Sequence, residues 1–211
     1  MNKQTLIWGA IALFVIGLLA LGAVQQGADN LTPTTVPDPS VLPGIQTGDA
    51  PWPVELERMA DRIAADSIPK SNMEGQVLHI HQHLDLFVHG EPVAIPANIG
   101  INQRAGWLST VHSHDTTGII HVESPFKATF TLGEVFDIWG VRFTSECLGG
   151  YCTDESESAT STLQVYVNGE LFTGDPRILA LGERQEIAII FGTATETPAI
   201  IPSTYTFPEG Y

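Results

Sequence analysis

Positive charge and cysteine are both scarce in this chain. Nine Lys and Arg face 24 Asp and Glu across 211 residues, a net charge of −15. That balance excludes attraction to nucleic acid or to an anionic lipid face by charge. The acids are spread along the chain, as on a solvated surface, rather than gathered into one cation site. No cysteine stands directly after the N-terminal apolar run, which argues against a lipoprotein anchor. Neither HExxH nor G-x-S-x-G occurs, so zincin and nucleophile-elbow chemistry are excluded as well. Histidine is absent outside residues 79–121.

The first long feature present is an uncharged run from Gln4 to Ala28, whose core is residues 5–24. It is long enough to cross a bilayer core of roughly 30 Å as a helix. Lys3 precedes it and Asp29 is the first charge after it, so the N-terminus is expected in the cytoplasm and the remainder outside. A cleaved signal peptide is the rival reading, with Gly22 and Ala23 as small residues near a cut. The run exceeds the usual apolar core of a signal, which favours a retained anchor over 1–24. Either way the folded part is extracytoplasmic, and the membrane is its partner through that helix. Residues 25–53 are rich in Pro, Thr, Gly and Asp without apolar period, and read as an extended tether. Residues 54–211 are left for one domain, enough for a sizeable core.

Cys147 and Cys152 stand in the segment Cys-Leu-Gly-Gly-Tyr-Cys. Export makes a disulfide the default, and two glycines permit the tight turn it needs. A thiolate pair for metal is the alternative.

The domain reads as α+β, mainly β, with a sandwich or β-grasp-like sheet at its centre. Val54 to Ile68 carries a helical stripe that Pro69 ends. Leu84, Leu86 and Val88 alternate with Asp85, Phe87 and His89, as in a strand. Residues 84–99 align without a gap to residues 163–178, and Gly90-Glu91 matches Gly169-Glu170. Asn168-Gly169 is a strong hairpin signal, so two similar hairpins are expected. Thr110–His114, Gly118–Glu123, Lys127–Leu132 and residues 185–192 read as further strands. Thr131-Leu132-Gly133-Glu134 resembles a capping box opening a short helix over Glu134–Trp139. The proline-bearing tail, Thr197–Tyr211, is expected to lie across the surface.

The seven histidines form two clusters: His79, His81 and His83 with His89, then His112 and His114 with His121. Alternate strand residues share a face about 6.6–7 Å apart, so an HxH pair aims two imidazoles at one point. On the first strand the histidines share the face opposite Leu84, Leu86 and Val88. His112 and His114 share a face on a second strand, and His121 and Glu123 on a third. If these strands are neighbours, four to six imidazoles converge. Such a set suits a transition metal, because an ion takes up neutral imidazoles that would repel one another as cations.

The expected ligands are therefore His81, His83, His112, His114 and His121. His79, Asp115 and Glu123 stand as possible ligands or as groups that orient them. His89 sits at a turn, where the second hairpin has Asn168, and is expected to be an exposed turn residue. Affinity order at an all-nitrogen site ranks copper above zinc.

The stretches HIHQHLDLFVHGEPVAIPANIGI, STVHSHDTTGIIHVESPF, FTLGEVFDIWGVRF and IPSTYTFPEGY resemble an uncharacterised family of exported or membrane-anchored microbial proteins. The resemblance spans residues 54–211. It implies that His81, His83, His112, His114, Asp115, His121 and Glu123 belong together, and carries no established activity.

Three functions fit these residues. One is a tethered copper- or zinc-binding protein. The second is a metalloenzyme performing metal-hydroxide hydration, hydrolysis or copper redox chemistry. The third is a module in which the metal only staples the fold. A cupin is excluded, because its acid follows HxH within a few residues, whereas Glu123 lies nine beyond His114.

Overall fold

The computed structural model describes residues 37–153 and 160–211. The apolar run 5–24 and the tether up to residue 36 lie outside these. Among the described residues no helix is long and apolar enough to cross a membrane.

Helix α1 (Met59–Ala65) precedes β1 (Lys70–Ser71), the long β2 (Leu78–Val88), β3 (Glu91–Pro92), β4 (Ile101–Asn102) and β5 (Trp107–Ser109). Then come β6 (Val111–His112), β7 (Ile119–Ser124), helix α2 (Leu132–Trp139), β8 (Cys147–Leu148) and β9 (Tyr151–Cys152). The chain continues through β10 (Thr162–Val167), β11 (Glu170–Leu171) and β12 (Glu186–Gly192). The central sheet runs β11-β10-β12-β2-β7-β6, with β3 folded back on the far end of β2. The α+β, mainly β class expected from the sequence holds. The sheet is mixed: β12 pairs parallel with β2, and the other ladders of this sheet are antiparallel.

The alternation along β2 decides which face is which. Leu84, Leu86 and Val88 join Ile120, Val122, Ile187, Ile189 and Phe191 in one apolar core, shared with Met59 and Ile63 of α1 and Val135, Phe136 and Trp139 of α2. The intervening residues of β2, including the histidines, face the other way.

The two expected hairpins flank β12, one on each side. Each turns on two residues with positive φ, His89 (52°) and Gly90 (82°) in one, Asn168 (52°) and Gly169 (84°) in the other. Their closing bonds match position for position: the Val93 N–H donates to Leu86 and the Phe172 N–H to Val165. The correspondence ends at Ile99, which is buried, while its counterpart Ile178 is exposed.

Thr131 caps α2 through the expected capping box, so the helix opens at Leu132, ahead of Glu134. This corrects the strand expected over Lys127–Leu132. Only Thr131 bridges to Ala180, because the chain there is committed to the helix cap. The first helix is also shorter than its stripe. The Glu55 carboxylate accepts the Arg58 N–H and a guanidinium N–H of Arg62, holding residues 55–58 outside the helix. Ser67, at φ 57°, ends the helix before Pro69.

The expected tether is corrected from residue 37 onward. Gln46 bridges Val141, the Trp139 indole N–H donates to the Trp52 carbonyl at 3.1 Å, and Leu42 and Trp52 are buried. Each large apolar side chain buried in this way contributes roughly 1.5–3 kcal/mol, enough to hold a proline-stiffened strap on the domain. Cys147 and Cys152 are joined, which rules out the thiolate-pair alternative, and their hairpin sits on Trp52. A Cβ on Gly149 would lie 2.1 Å from the Trp52 ring.

Asp66 follows α1, with both carboxylate oxygens buried and without a hydrogen-bond partner. Burial, then the nearby Asp137 and Glu134, push its pKa up to about 8. A carboxyl whose pKa is higher folded than unfolded binds more protons in the folded state, so stability falls as pH rises through that window. Asp66→Asn is expected to flatten this decline and raise the melting temperature at pH ~8. Equal slopes for both chains in thermal unfolding between pH ~5 and ~8 would sink the assignment.

Candidate metal centre

The third histidine strand lies between the other two. β7 pairs with β2 on one side and β6 on the other, setting His81 opposite His121 and His121 opposite His112. A row of three imidazoles therefore crosses three adjacent strands. In the next row His79 stands opposite Glu123. His114, two residues beyond His112, leans back over the row, its ring centroid 4.6 Å from that of His121.

The nitrogens converge in pairs. His79 Nε2 and His81 Nε2 are 3.2 Å apart, as are His112 Nε2 and His114 Nε2. Glu123 stands between the pairs. Its Oε1 lies 2.9 Å from His121 Nδ1 and 3.4 Å from His79 Nε2. Its Oε2 lies 3.9 Å from His112 Nε2 and is buried with no hydrogen-bond partner. Two tautomers follow from the acceptors. His112 Nδ1–H donates to the Ser109 carbonyl and His121 Nδ1–H to the Glu123 carboxylate, leaving each Nε2 with a free lone pair.

Electrostatics favour neutral rings beside a charged acid. Burial, with His121 and His79 adding to it, pushes His81 down to about 4. Burial pushes His112 down to about 4 despite Glu123. For Glu123, burial favours the protonated form, but the His121 hydrogen bond and the neighbouring imidazoles outweigh it and hold the carboxyl below its ordinary value. Neutral imidazole and ionised carboxylate are the forms that bind a metal. His112, His121, His81 and Glu123 are buried, while the outer rings of His79 and His114 are 41% and 40% exposed, so the centre opens to solvent at both ends.

Of the expected ligands, the structure brings together His81, His112, His114 and His121, and adds His79 and Glu123 to them. His83 is corrected. Its Nδ1 meets Glu186 Oε2 at 2.9 Å and its Nε2 meets the Thr117 carbonyl at 2.9 Å. Both partners accept, so both nitrogens donate. Burial alone would lower its pKa, but the Glu186 hydrogen bond prevails and raises it. His83 is thus a hydrogen-bonded clamp between β2, β12 and the β6–β7 loop. Its ring also stacks on Tyr205 at 3.7 Å. Asp115 lies outside these groups: its carboxylate accepts the Thr117 N–H at 2.8 Å and the Thr117 hydroxyl, turning that loop. His89 is the turn residue expected, paired with Glu196 at 3.1 Å.

Four contributors, Glu186 beside His83 among them, escaped the sequence reading. Tyr211 lays its ring 5.0 Å from His81 and 5.4 Å from His121. Tyr205 covers His83, and Glu183 accepts the His81 N–H at 3.1 Å, where β2 has run past the end of β12. The signals present were the aromatic, proline-bearing tail and, for Glu186, a carboxylate opening an otherwise apolar strand.

No family model matches the chain, and neither curated proteins nor solved structures match it. Its chemistry is read from this geometry alone.

Proposed function

We propose that the chain is an extracytoplasmic transition-metal-binding protein, held at the membrane by its N-terminal apolar helix. The observation that carries this is the orphaned, buried Glu123 Oε2 beside the in-register row His81, His121 and His112. A buried carboxylate oxygen without a partner costs free energy unless something compensates it. A cation among free imidazole lone pairs supplies that compensation.

Affinity alone ranks copper above zinc at such a site. The bite alters the ranking. Nitrogens 3.2 Å apart on bonds of about 2.0–2.1 Å subtend roughly 100°, nearer the tetrahedral angle of zinc than the right angle of Cu(II). We therefore place zinc first and copper second.

The test is elemental analysis of the chain, produced without a histidine tag in an oxidising compartment. Stoichiometric metal, and a fall in melting temperature with chelator, are expected. For a ligand at ~1,000 times its Kd the linked stabilisation is ~4 kcal/mol. No stoichiometric transition metal and no chelator effect would overturn the proposal.

A second reading has one observation in its favour. Glu123 also lines a cavity of about 480 Å³ walled by Met73, Val77, Leu108 and Pro125. A metalloenzyme would need such a space beside its ion for a substrate. Turnover of ester or carbon dioxide substrates by the metal-loaded chain, lost on chelation, would favour it.

A further inference from the structure

The ligand atoms do not form one set. Around Glu123 they fall into two, each spanning no more than 4.8 Å: His112, His114, His121 and Glu123, and His79, His81 and Glu123; the group of His83, Asp85 and Glu186 lies apart. The sets share Glu123 and no histidine. Bonds of about 2.1 Å keep an ion's ligands within about 4.2 Å of one another, so each set closes slightly around an ion, and the two sets together, not gathered within 4.8 Å, are too wide for one.

The Glu123 carboxylate reaches both sets. Oε1 lies 3.4 Å from His79 Nε2 while accepting the His121 Nδ1–H at 2.9 Å. Oε2, the buried oxygen without a partner, lies 3.9 Å from His112 Nε2, on the His112–His114 side. Each HxH pair separately holds its two Nε2 atoms 3.2 Å apart, a complete bidentate bite.

We infer that the centre is dinuclear, with Glu123 bridging two ions; the inference rests on the metal-binding proposal above. Paired ions in two-metal sites stand about 3.5–4 Å apart, a separation that one carboxylate spans. The two positions are unequal. The ion of His112, His114, His121 and Glu123 has four protein donors, a filled tetrahedral complement. The ion of His79, His81 and Glu123 has three and keeps one position open, beside the exposed His79 ring and under Tyr211. An open fourth position takes water or a small anionic or neutral ligand. The four-donor ion joins β6 to β7, and the three-donor ion, which joins β2 to β7, is the exchangeable one.

The experiment counts metal. Full-length protein is stripped with chelator, reloaded with zinc, freed of excess and measured by plasma mass spectrometry against amino-acid analysis. Two zinc ions per chain are expected for the natural sequence and for His83→Ala. One is expected for His79→Ala, whose exposed side chain makes misfolding no explanation, and one for His112→Ala combined with His114→Ala. With Cu(II) as probe, the natural chain should show the weakened resonance of a coupled pair, and His79→Ala the full signal of an isolated ion. One ion in the natural chain, unchanged by His79→Ala, would overturn the dinuclear assignment and leave the metal-binding proposal standing. Two ions retained in His79→Ala would overturn the ligand division. No bound ion in any chain would overturn both.

Discussion

A chain carrying both His81→Ala and His114→Ala is expected to lose zinc affinity by more than ~100-fold at each position. Loss of a partner that merely orients a ligand costs about 10–100-fold, and a direct nitrogen donor is worth more. The double change removes one donor from each set, so neither His79 nor His112 keeps its partner at 3.2 Å. His89→Ala should bind as the natural chain does, because that ring pairs with Glu196 at the far end of β2. Competition with a chromophoric chelator measures the effect. If His89→Ala lost metal, or the double variant kept it, the placement of the centre on this face of the sheet would be wrong. Circular dichroism of the metal-free chains separates lost ligands from lost fold, which matters because the double change removes the buried His81 ring as well as the partly exposed His114 ring.

The second large effect concerns stability, away from the histidines. Arg177→Ala is expected to destabilise the chain by ~3–5 kcal/mol, the range for breaking one side of a buried ion pair. Arg177 grips Asp137 with two nitrogens, at 3.2 and 2.6 Å, and also donates to the carbonyls of Phe143 and Pro37. Asp137 is fully buried, and burial pushes its pKa up to about 6 even with the guanidinium in place. Removing the cation leaves that acid uncompensated and releases the strap at Pro37. Urea unfolding should show the loss, and Arg177→Ala with Asp137→Ala should cost less than the sum of the two. A change under ~1 kcal/mol would refute the pairing as a stability determinant. Zinc stoichiometry should be unaffected in the folded variant, because Arg177 touches no histidine.

Short-range chemistry accounts for what could be read in the sequence. The alternation of Leu84, Leu86 and Val88 sorted β2 into a core face and a histidine face. Thr131 and Glu134 announced a helix start, and Asn168-Gly169 a turn, because each acts within four residues. The Cys147–Cys152 pairing was legible for the same reason. Partners from distant segments were not legible. His83 shares parity with His81, and parity alone groups it with that ring. Its partner Glu186 arrives 103 residues later on a parallel neighbour that periodicity does not reveal. The tether was misread from residue 37 because proline-rich composition describes stiffness and does not register that Trp52, between two prolines, has an indole to bury. Tyr211 was missed because a surface tail has no period by which to place it.

The parallel pairing of β12 with β2 bears on the order in which the chain is assembled. The strands carrying the ligands, β2, β6 and β7, all lie within residues 78–124 and pair through antiparallel ladders. β12 begins at Glu186 and enters the sheet between β2 and β10. Long-range pairing of this kind is slow to form, and local pairing fast. As the chain emerges during synthesis, the imidazole row can therefore close before the sheet has its centre. An ion captured at that stage would act as a nucleus for the remainder of the fold. Metal supply during biogenesis, and not only afterwards, would then set how much of this protein reaches its finished form.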